Sequence, residues 1–271
     1  MWNLHIDKVL GQCGFKRLMA DLCVYIIGEG KERVLLGLYV DDMFMIAALL
    51  EKLAGIKQYL NKTFKMKDLG PVKFLLGMEI RLQPNGDIHL LQEKYLGEIL
   101  TKFDMNDCRA VSTPLPPGSK LSMEDSPQTA ADREAMAIIP YRQVLGSLMY
   151  LATCSRPDIS AAISSLARFS ADPGPAHWEG IQHVLKYLKG IKGGGICYKR
   201  GANTEIWGYR DASHLTCPDT GRSRAGSAFI EAGGAVSWAS KLVGNASLSS
   251  CESEYMGLTL AAQEASYLRS L

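Results

Sequence analysis

An α+β fold is the class that this chain of 271 residues predicts. Three observations carry it. Over the first hundred residues, short β-favouring runs that double back at turn residues alternate with apolar residues at helical spacing. Between 141 and 190 apolar positions recur every three or four residues in successive helical blocks. From Ile196 the β-favouring runs return, and a last helical stretch closes the chain. Hydrophobic residues make up 47%, charged residues 21%, and the net charge is +2. That composition is ordinary for a globular protein and permits a nucleic-acid partner without requiring one.

Residues 2–16 place Leu4, Val9, Leu10 and Phe15 on an approximate helical face. Leu22–Ile27 and Val34–Val40 read as strands joined by a turn at Gly28–Lys31, and Met43–Ala47 as the antiparallel return. Leu49, Leu50, Leu53, Ile56, Leu60 and Phe64 then recur at helical spacing, and Asp68-Leu69-Gly70-Pro71 ends that helix. Phe74–Leu82 and Ile88–Leu91 read as a second hairpin around Asn85-Gly86. Gln92–Phe103 is an amphipathic helix on Tyr95, Leu96, Ile99 and Leu100.

Ser112–Pro140 holds five of the eleven prolines and little periodicity, the composition of a linker. Tyr141–Cys154 is a helix with Val144, Leu145, Leu148, Met149 and Leu151 on one side. Ser155-Arg156-Pro157-Asp158 has the form of the next helix start, and that helix runs to Phe169. Trp178, Ile181, Val184, Leu185 and Leu188 mark a third helix. Strands follow at Ile196–Tyr198, Ile206–Tyr209, Ala225–Ile230 and Ala235–Trp238, then a helix over Ser249–Leu271.

The seven cysteines, at 13, 23, 108, 154, 197, 217 and 251, include no Cys-x-x-Cys pair. They read as reduced thiols of an intracellular protein, with neither a disulfide framework nor a zinc site. The N-terminus has no apolar core of signal-peptide length. The stretch 34–50 is too short to span a bilayer and carries two Asp, each costing roughly 2.5–3.5 kcal/mol at a bilayer centre. No membrane partner is expected.

Two places carry chemistry. Val34–Leu50 holds one bare acidic pair, Asp41-Asp42, between apolar runs. Strand–turn–strand geometry presents both carboxylates at a hairpin tip. The pair is either a solvated turn or a clamp for a hard divalent cation such as Mg²⁺. Gly37, inside the leading strand, costs roughly 0.5–1 kcal/mol relative to a residue with a side chain. The second place pairs Asp211, at the end of a strand, with Glu254 on the final helix. Ser249-x-x-Glu252 fits a capping box, so a structural role suffices for Glu252. Glu254 lies about 40° around the axis from Leu258, on the stripe predicted buried, namely Leu258, Ala261, Ala262, Ala265 and Leu268. It is expected to face the sheet. A strand-end Asp with an inward Glu is also the skeleton of a metal-dependent nuclease. Lys186, Lys189, Lys192, Lys199 and Arg200 cluster around Gly193-Gly194-Gly195, either as a solvated face or as a contact for backbone phosphates.

Eight segments, in this order, resemble the reverse transcriptase and RNase H part of copia-type LTR retrotransposon Pol polyproteins. They are GFKR with D-x-CVYI (Gly14–Ile26), LYVDDM (38–43), FKMKDLGPVKFLLGMEI (64–80), CRAVSTPL (108–115), YRQVLGSLMYLATCSRPDIS (141–160), WGYRDAS (207–213), GGAVSWASK (233–241) and SLSSCESEYMGLTLAAQEA (247–265). The resemblance implies a partial polymerase palm over 1–82 and the start of a thumb over 83–111. A Pro-rich linker over 112–140, helical thumb and connection over 141–195, and a partial RNase H-like α/β domain over 196–271 would follow. Asp41 and Asp42 would be the polymerase metal pair, Asp211 and Glu254 the first two RNase H acids, and Mg²⁺ the cofactor. The partner would be a primer–template or RNA–DNA hybrid, in the intact parent. The family pattern departs at Ser213-His214, where Asp-Trp is usual. Its third palm Asp and nucleotide-binding lysine would lie before Met1, and its next RNase H Asp beyond Leu271. The expectation is a fragment, inactive alone, or else a non-catalytic protein that binds nucleic acid or another protein.

Overall fold

The computed structural model describes residues 2–270, which form two compact units, Met1–Val72 with Glu264–Leu271, and Lys73–Gln263. The architecture is mixed helix and sheet, with eight α-helices and three antiparallel sheets among the described residues. The predicted class is the observed one.

The first unit opens on α1 (Trp2–Gln12), which buries Ile6, Val9 and Leu10. Leu4, expected on that face, is 78% exposed, because Ile6 rather than Leu4 falls in phase with Val9 and Leu10. The sheet runs β1 (Lys16–Arg17), β2 (Val24–Ile27), β3 (Val34–Tyr39) and β4 (Asp42–Ala47) in chain order. Buried Val34, Leu36 and Leu38 of β3 meet α1 and Leu60 of α2 (Leu50–Thr63) in one core. The α2 stripe is narrower than its spacing suggests, since Leu60 alone is fully buried and Leu50 is largely exposed. Gly37 has a packing reason. The ring of its cross-strand partner Phe44 lies where a Cβ would sit, 2.1 Å from Cζ.

In the second unit, Phe74–Leu82 is not one strand. It turns back at Leu76-Gly77, with φ of 49° and 74°, to give β5 (Phe74–Leu75) and β6 (Met78–Leu82). Positive φ at both central residues is the two-residue turn that matches strand twist. β7 (Ile88–Leu91) follows the Asn85-Gly86 turn as predicted, with Gly86 at φ 89°. The fourth strand of this sheet is β8 (Gly195–Tyr198), paired with β7. Ile196–Tyr198, read from the sequence as the first of the later strands, thus pairs with the second hairpin.

A helical core joins α3 (Glu93–Lys102), α5 (Tyr141–Cys154), α6 (Ser160–Leu166) and α7 (Pro175–Gly190) around Leu148, Ile159, Leu166, Ile181 and Leu185. The Pro-rich stretch includes α4 (Ala130–Ala137), started by a Thr129–Asp132 capping box. It also docks, with Ser126 Oγ donating to the Asp172 carbonyl and Ser126 only 7% exposed. Ser155 does not cap a helix. Its Oγ bonds Gln92 Oε1 at 2.6 Å, and Pro157–Ile159 forms a 3-10 turn before α6.

The third sheet has the order β11-β10-β9, from β9 (Trp207–Ser213), β10 (Arg222–Glu231) and β11 (Gly234–Ala246). β9 is an edge strand, with Trp207 and Tyr209 exposed. The last helix is α8 (Ser250–Leu268), capped as predicted: Glu252 N–H donates to Ser249 Oγ, and Leu248 N–H to Glu252 Oε2. Its buried residues are Ser253 and Gly257, not the predicted apolar stripe, of which Leu258 is 44% exposed. At Gly257 a Cβ would lie 3.3 Å from Ala212 and 3.5 Å from Ala225, so small residues bring the helix backbone onto the sheet.

Candidate active site

The acidic tip is a two-residue turn. Tyr39 pairs with Asp42, leaving Val40 and Asp41 as its central residues. Val40 has φ 52°, a conformation that β-branched residues rarely adopt. Positive φ at the first central residue alone is the type II′ pattern, in which glycine normally stands there. A Val held in the left-handed region stores on the order of 1–3 kcal/mol of strain, which the surrounding structure must override. The indole N–H of Trp2 donates to the Val40 carbonyl at 2.9 Å and pins the strained residue. Ring contact between Trp2 and Phe64, at 5.3 Å, holds the indole in turn.

Asp41 and Asp42 are both exposed, as are Tyr39 and Val40. Two adjacent carboxylates supply hard oxygen donors open to solvent, a set that suits Mg²⁺ held with waters and substrate phosphates. Among the described residues no group of three or more His, Cys, Asp or Glu gathers as a metal cage, here or elsewhere. A cavity of about 550 Å³ lies along α2, lined by Leu53, Lys57, Asn61 and Asp68 and not by the acidic pair.

The structure does not bring Asp211 and Glu254 together. Glu254 does turn toward β9, where its carboxylate accepts from Arg210 Nη1 in an ion pair, and Arg210 also reaches the Glu254 carbonyl at 3.0 Å. Arg210 and Ala212 therefore share the α8 face of the sheet. Side chains alternate along a strand, so Asp211 projects from the opposite face. Period-2 alternation was available from sequence; the Arg210 partner was not.

Three of the five clustered cations have structural work. Lys189 Nζ donates to the Cys108 carbonyl at 2.6 Å. Lys199 packs its stem against Gly233, and Arg200 lies over Gly86.

Sequence reasoning missed a polar knot. Asp219 Oδ1 accepts from Ser122 Oγ and Met123 N–H, at 2.7 and 2.8 Å, while Oδ2 pairs with Arg168. Burial alone would raise the Asp219 carboxyl, but these donors and the Arg168 charge hold it below its usual range. Fully buried His177 stacks on Phe169 at 3.8 Å. Its Nδ1 accepts from Gly174 N–H, so Nε2 carries the proton given to the Ser122 carbonyl, and burial pushes its pKa down. The Ser122 and Asp219 partners are 97 residues apart, and no local pattern announces them.

The chain is thus an α+β protein whose first sheet ends in a strained, exposed Asp-Asp tip. Residues 1–117 match the family described as reverse transcriptase (RNA-dependent DNA polymerase). The chain is 37% identical over 99% of its length to the retrovirus-related Pol polyprotein from transposon TNT 1-94 of Nicotiana tabacum, of which it spans 20%. It is 33% identical over 94% of its length to a putative transposon Ty5-1 protein of Saccharomyces cerevisiae, covering 82% of it. To an uncharacterized mitochondrial protein of Arabidopsis thaliana it is 34% identical over 84% of its length, covering 91% of that protein. No solved structure matches. The chain belongs to the reverse transcriptase family of copia-type retrotransposon Pol polyproteins.

Proposed function

We propose that this chain supplies the acidic hairpin tip of a reverse-transcriptase palm. In this reading a helical thumb and connection follow, then an RNase H-like segment, within a Pol polyprotein that works on a primer–template or RNA–DNA hybrid. The observation that carries it is Asp41-Asp42 at an exposed, strained and pinned turn inside the family-matched residues. Asp41 and Asp42 would hold Mg²⁺, which when bound neutralises charge on a transferring phosphoryl group. The chain's own contribution is positional. Buried Leu36 and Leu38 fix β3, Phe44 covers Gly37, and Trp2 holds the Val40 carbonyl, so the carboxylates stand on a rigid support. Exposed Tyr39 and Val40 leave the tip open to a polymer.

Catalysis with two metal ions needs several ligands, and no third carboxylate joins this pair among the described residues. Asp211 and Glu254, on opposite faces, share no ion as they stand. The isolated chain is therefore inactive in this reading. Incubated with a primed RNA template, nucleotides and Mg²⁺, it is expected to extend no primer. Extension that disappears in Asp41→Asn with Asp42→Asn would refute the inactivity and keep the assignment of the pair. A second reading, a non-catalytic binder of nucleic acid or protein, draws support from relatives of the chain's own size.

A further inference from the structure

Arg224 is a half-buried cation with no anion of its own. It stands on β10 opposite Ser213 of β9 and Leu242 of β11, on the face of the sheet that carries Trp238. Trp238 Nε1 bonds the Ala152 carbonyl of α5 at 2.7 Å, so this face is packed against helices. Arg224 Nη1 donates to Ser164 Oγ of α6 at 2.7 Å and more weakly to Ser240 Oγ of β11 at 3.4 Å. No carboxylate lies within ion-pair distance of it among the described residues. Asp219 is already taken by Arg168, Ser122 and Met123. Asp211, opposite Gly226 on the same face, makes no ion pair with it.

A guanidinium removed from water is normally paired, because an uncompensated buried charge is costly. Here the cost is compounded. Burial, and then the neighbouring Arg168 charge, pull the Arg224 pKa down, with the Cys217 thiol acting in the other direction. Cys217 is almost wholly buried and holds the Thr220 hydroxyl at 2.9 Å, so it is not open to a ligand.

Arg224 Nη1 lies within 3.4 Å of both serine hydroxyls, which places the donors left over side by side. Arg224 uses one of its nitrogens, and the remaining N–H groups are uncommitted in the described contacts. Ser164 and Ser240 each accept from Arg224, and neither hydroxyl proton has a described acceptor. A forked guanidinium flanked by two hydroxyl donors is the recognition chemistry of a tetrahedral oxyanion. We propose that Arg224, Ser164 and Ser240 form a site for a phosphate group, on the sheet face from which Asp211 projects. The group is either free phosphate or the phosphodiester of a nucleic-acid backbone.

The test uses the full chain and follows the Arg224 Nε–H resonance. One titration uses inorganic phosphate against sodium chloride at matched ionic strength, and a second uses a short RNA–DNA hybrid. Phosphate is expected to shift the resonance saturably where chloride does not. Arg224→Gln should abolish phosphate binding read by calorimetry, and Ser164→Ala with Ser240→Ala should weaken binding about tenfold. The serine variant carries the test if Arg224→Gln does not fold. A matching shift by the hybrid identifies the backbone phosphodiester as the source, and a response to inorganic phosphate alone identifies free phosphate. Equal responses to phosphate and chloride, or unchanged phosphate affinity in the serine variant, would overturn the site. The free-phosphate titration does not depend on the polymerase reading, so failure of either leaves the other standing.

Discussion

Asp158→Ala is expected to lower the unfolding free energy of the second unit by about 3 kcal/mol, read from urea denaturation. The reason lies in Arg156, whose side chain is 3% exposed. Asp158 receives it through two hydrogen bonds, Nε to Oδ1 at 2.9 Å and Nη2 to Oδ2 at 2.7 Å, and accepts a third from the Tyr187 hydroxyl at 2.9 Å. Removing the carboxylate strands a buried guanidinium, with the Ile191 carbonyl as its remaining acceptor. Asp158 itself is 35% exposed, so water moderates the loss and places it at the low end for buried pairs. The pH dependence has a definite sign. Burial would raise the Asp158 carboxyl, but Arg156 and Tyr187 bring it below its ordinary 3.8. A depressed folded pKa means stability present above pH 3.8 and lost as pH falls through the folded value. Asp158→Ala should lack that part of the acid dependence. A loss under about 1 kcal/mol would mean that Arg156 finds another partner.

Gly174→Ala should do comparable damage for a steric reason. A Cβ at Gly174 would lie 1.8 Å from the Asp125 carbonyl oxygen and 2.8 Å from its carbon. Backbone cannot yield as a flexible side chain would, so Asp125 or the start of α7 must move. Either shift strains the bond from Gly174 N–H to His177 Nδ1, and with it the contact to Ser122. The expected cost is about 3 kcal/mol or more. Gly146→Ala is the control, since nothing lies within 4 Å of its added Cβ. Comparable midpoints for the two variants in urea would contradict this packing.

What the sequence made legible follows from local rules. Alternating apolar runs around Asn85-Gly86 and around Asp41-Asp42 placed two hairpins, and the spacing of Val144, Leu145, Leu148 and Leu151 placed α5. The failures share a cause, in that their determinants are distant or lack a side chain. Nothing local marks Leu76 for the left-handed region, where Tyr150 meets its carbonyl. Ser155-x-x-Asp158 looks like a helix start, yet its partners Gln92 and Tyr187 lie 63 and 29 residues away. The buried face of α8 is set by Ser253 and Gly257, where close backbone approach outweighs the pull of Leu258. At the site, the sequence located the Asp41-Asp42 tip but not its Val40 strain or Trp2 pin. Asp211 and Glu254, paired in the sequence reading, stand on opposite faces of the sheet, and Glu254 is held by Arg210.

In the proposed function, Asp41 and Asp42 form a cation-holding tip on their hairpin. Paramagnetic broadening by Mn²⁺, standing in for Mg²⁺, tests it most directly in the amide spectrum of the full chain. Substoichiometric Mn²⁺ should broaden the amides of Tyr39 to Met43 first, and Asp41→Asn with Asp42→Asn should abolish that selectivity while leaving the rest of the spectrum unchanged. Broadening that is uniform over exposed carboxylates, or that persists around the tip in the double variant, would contradict it.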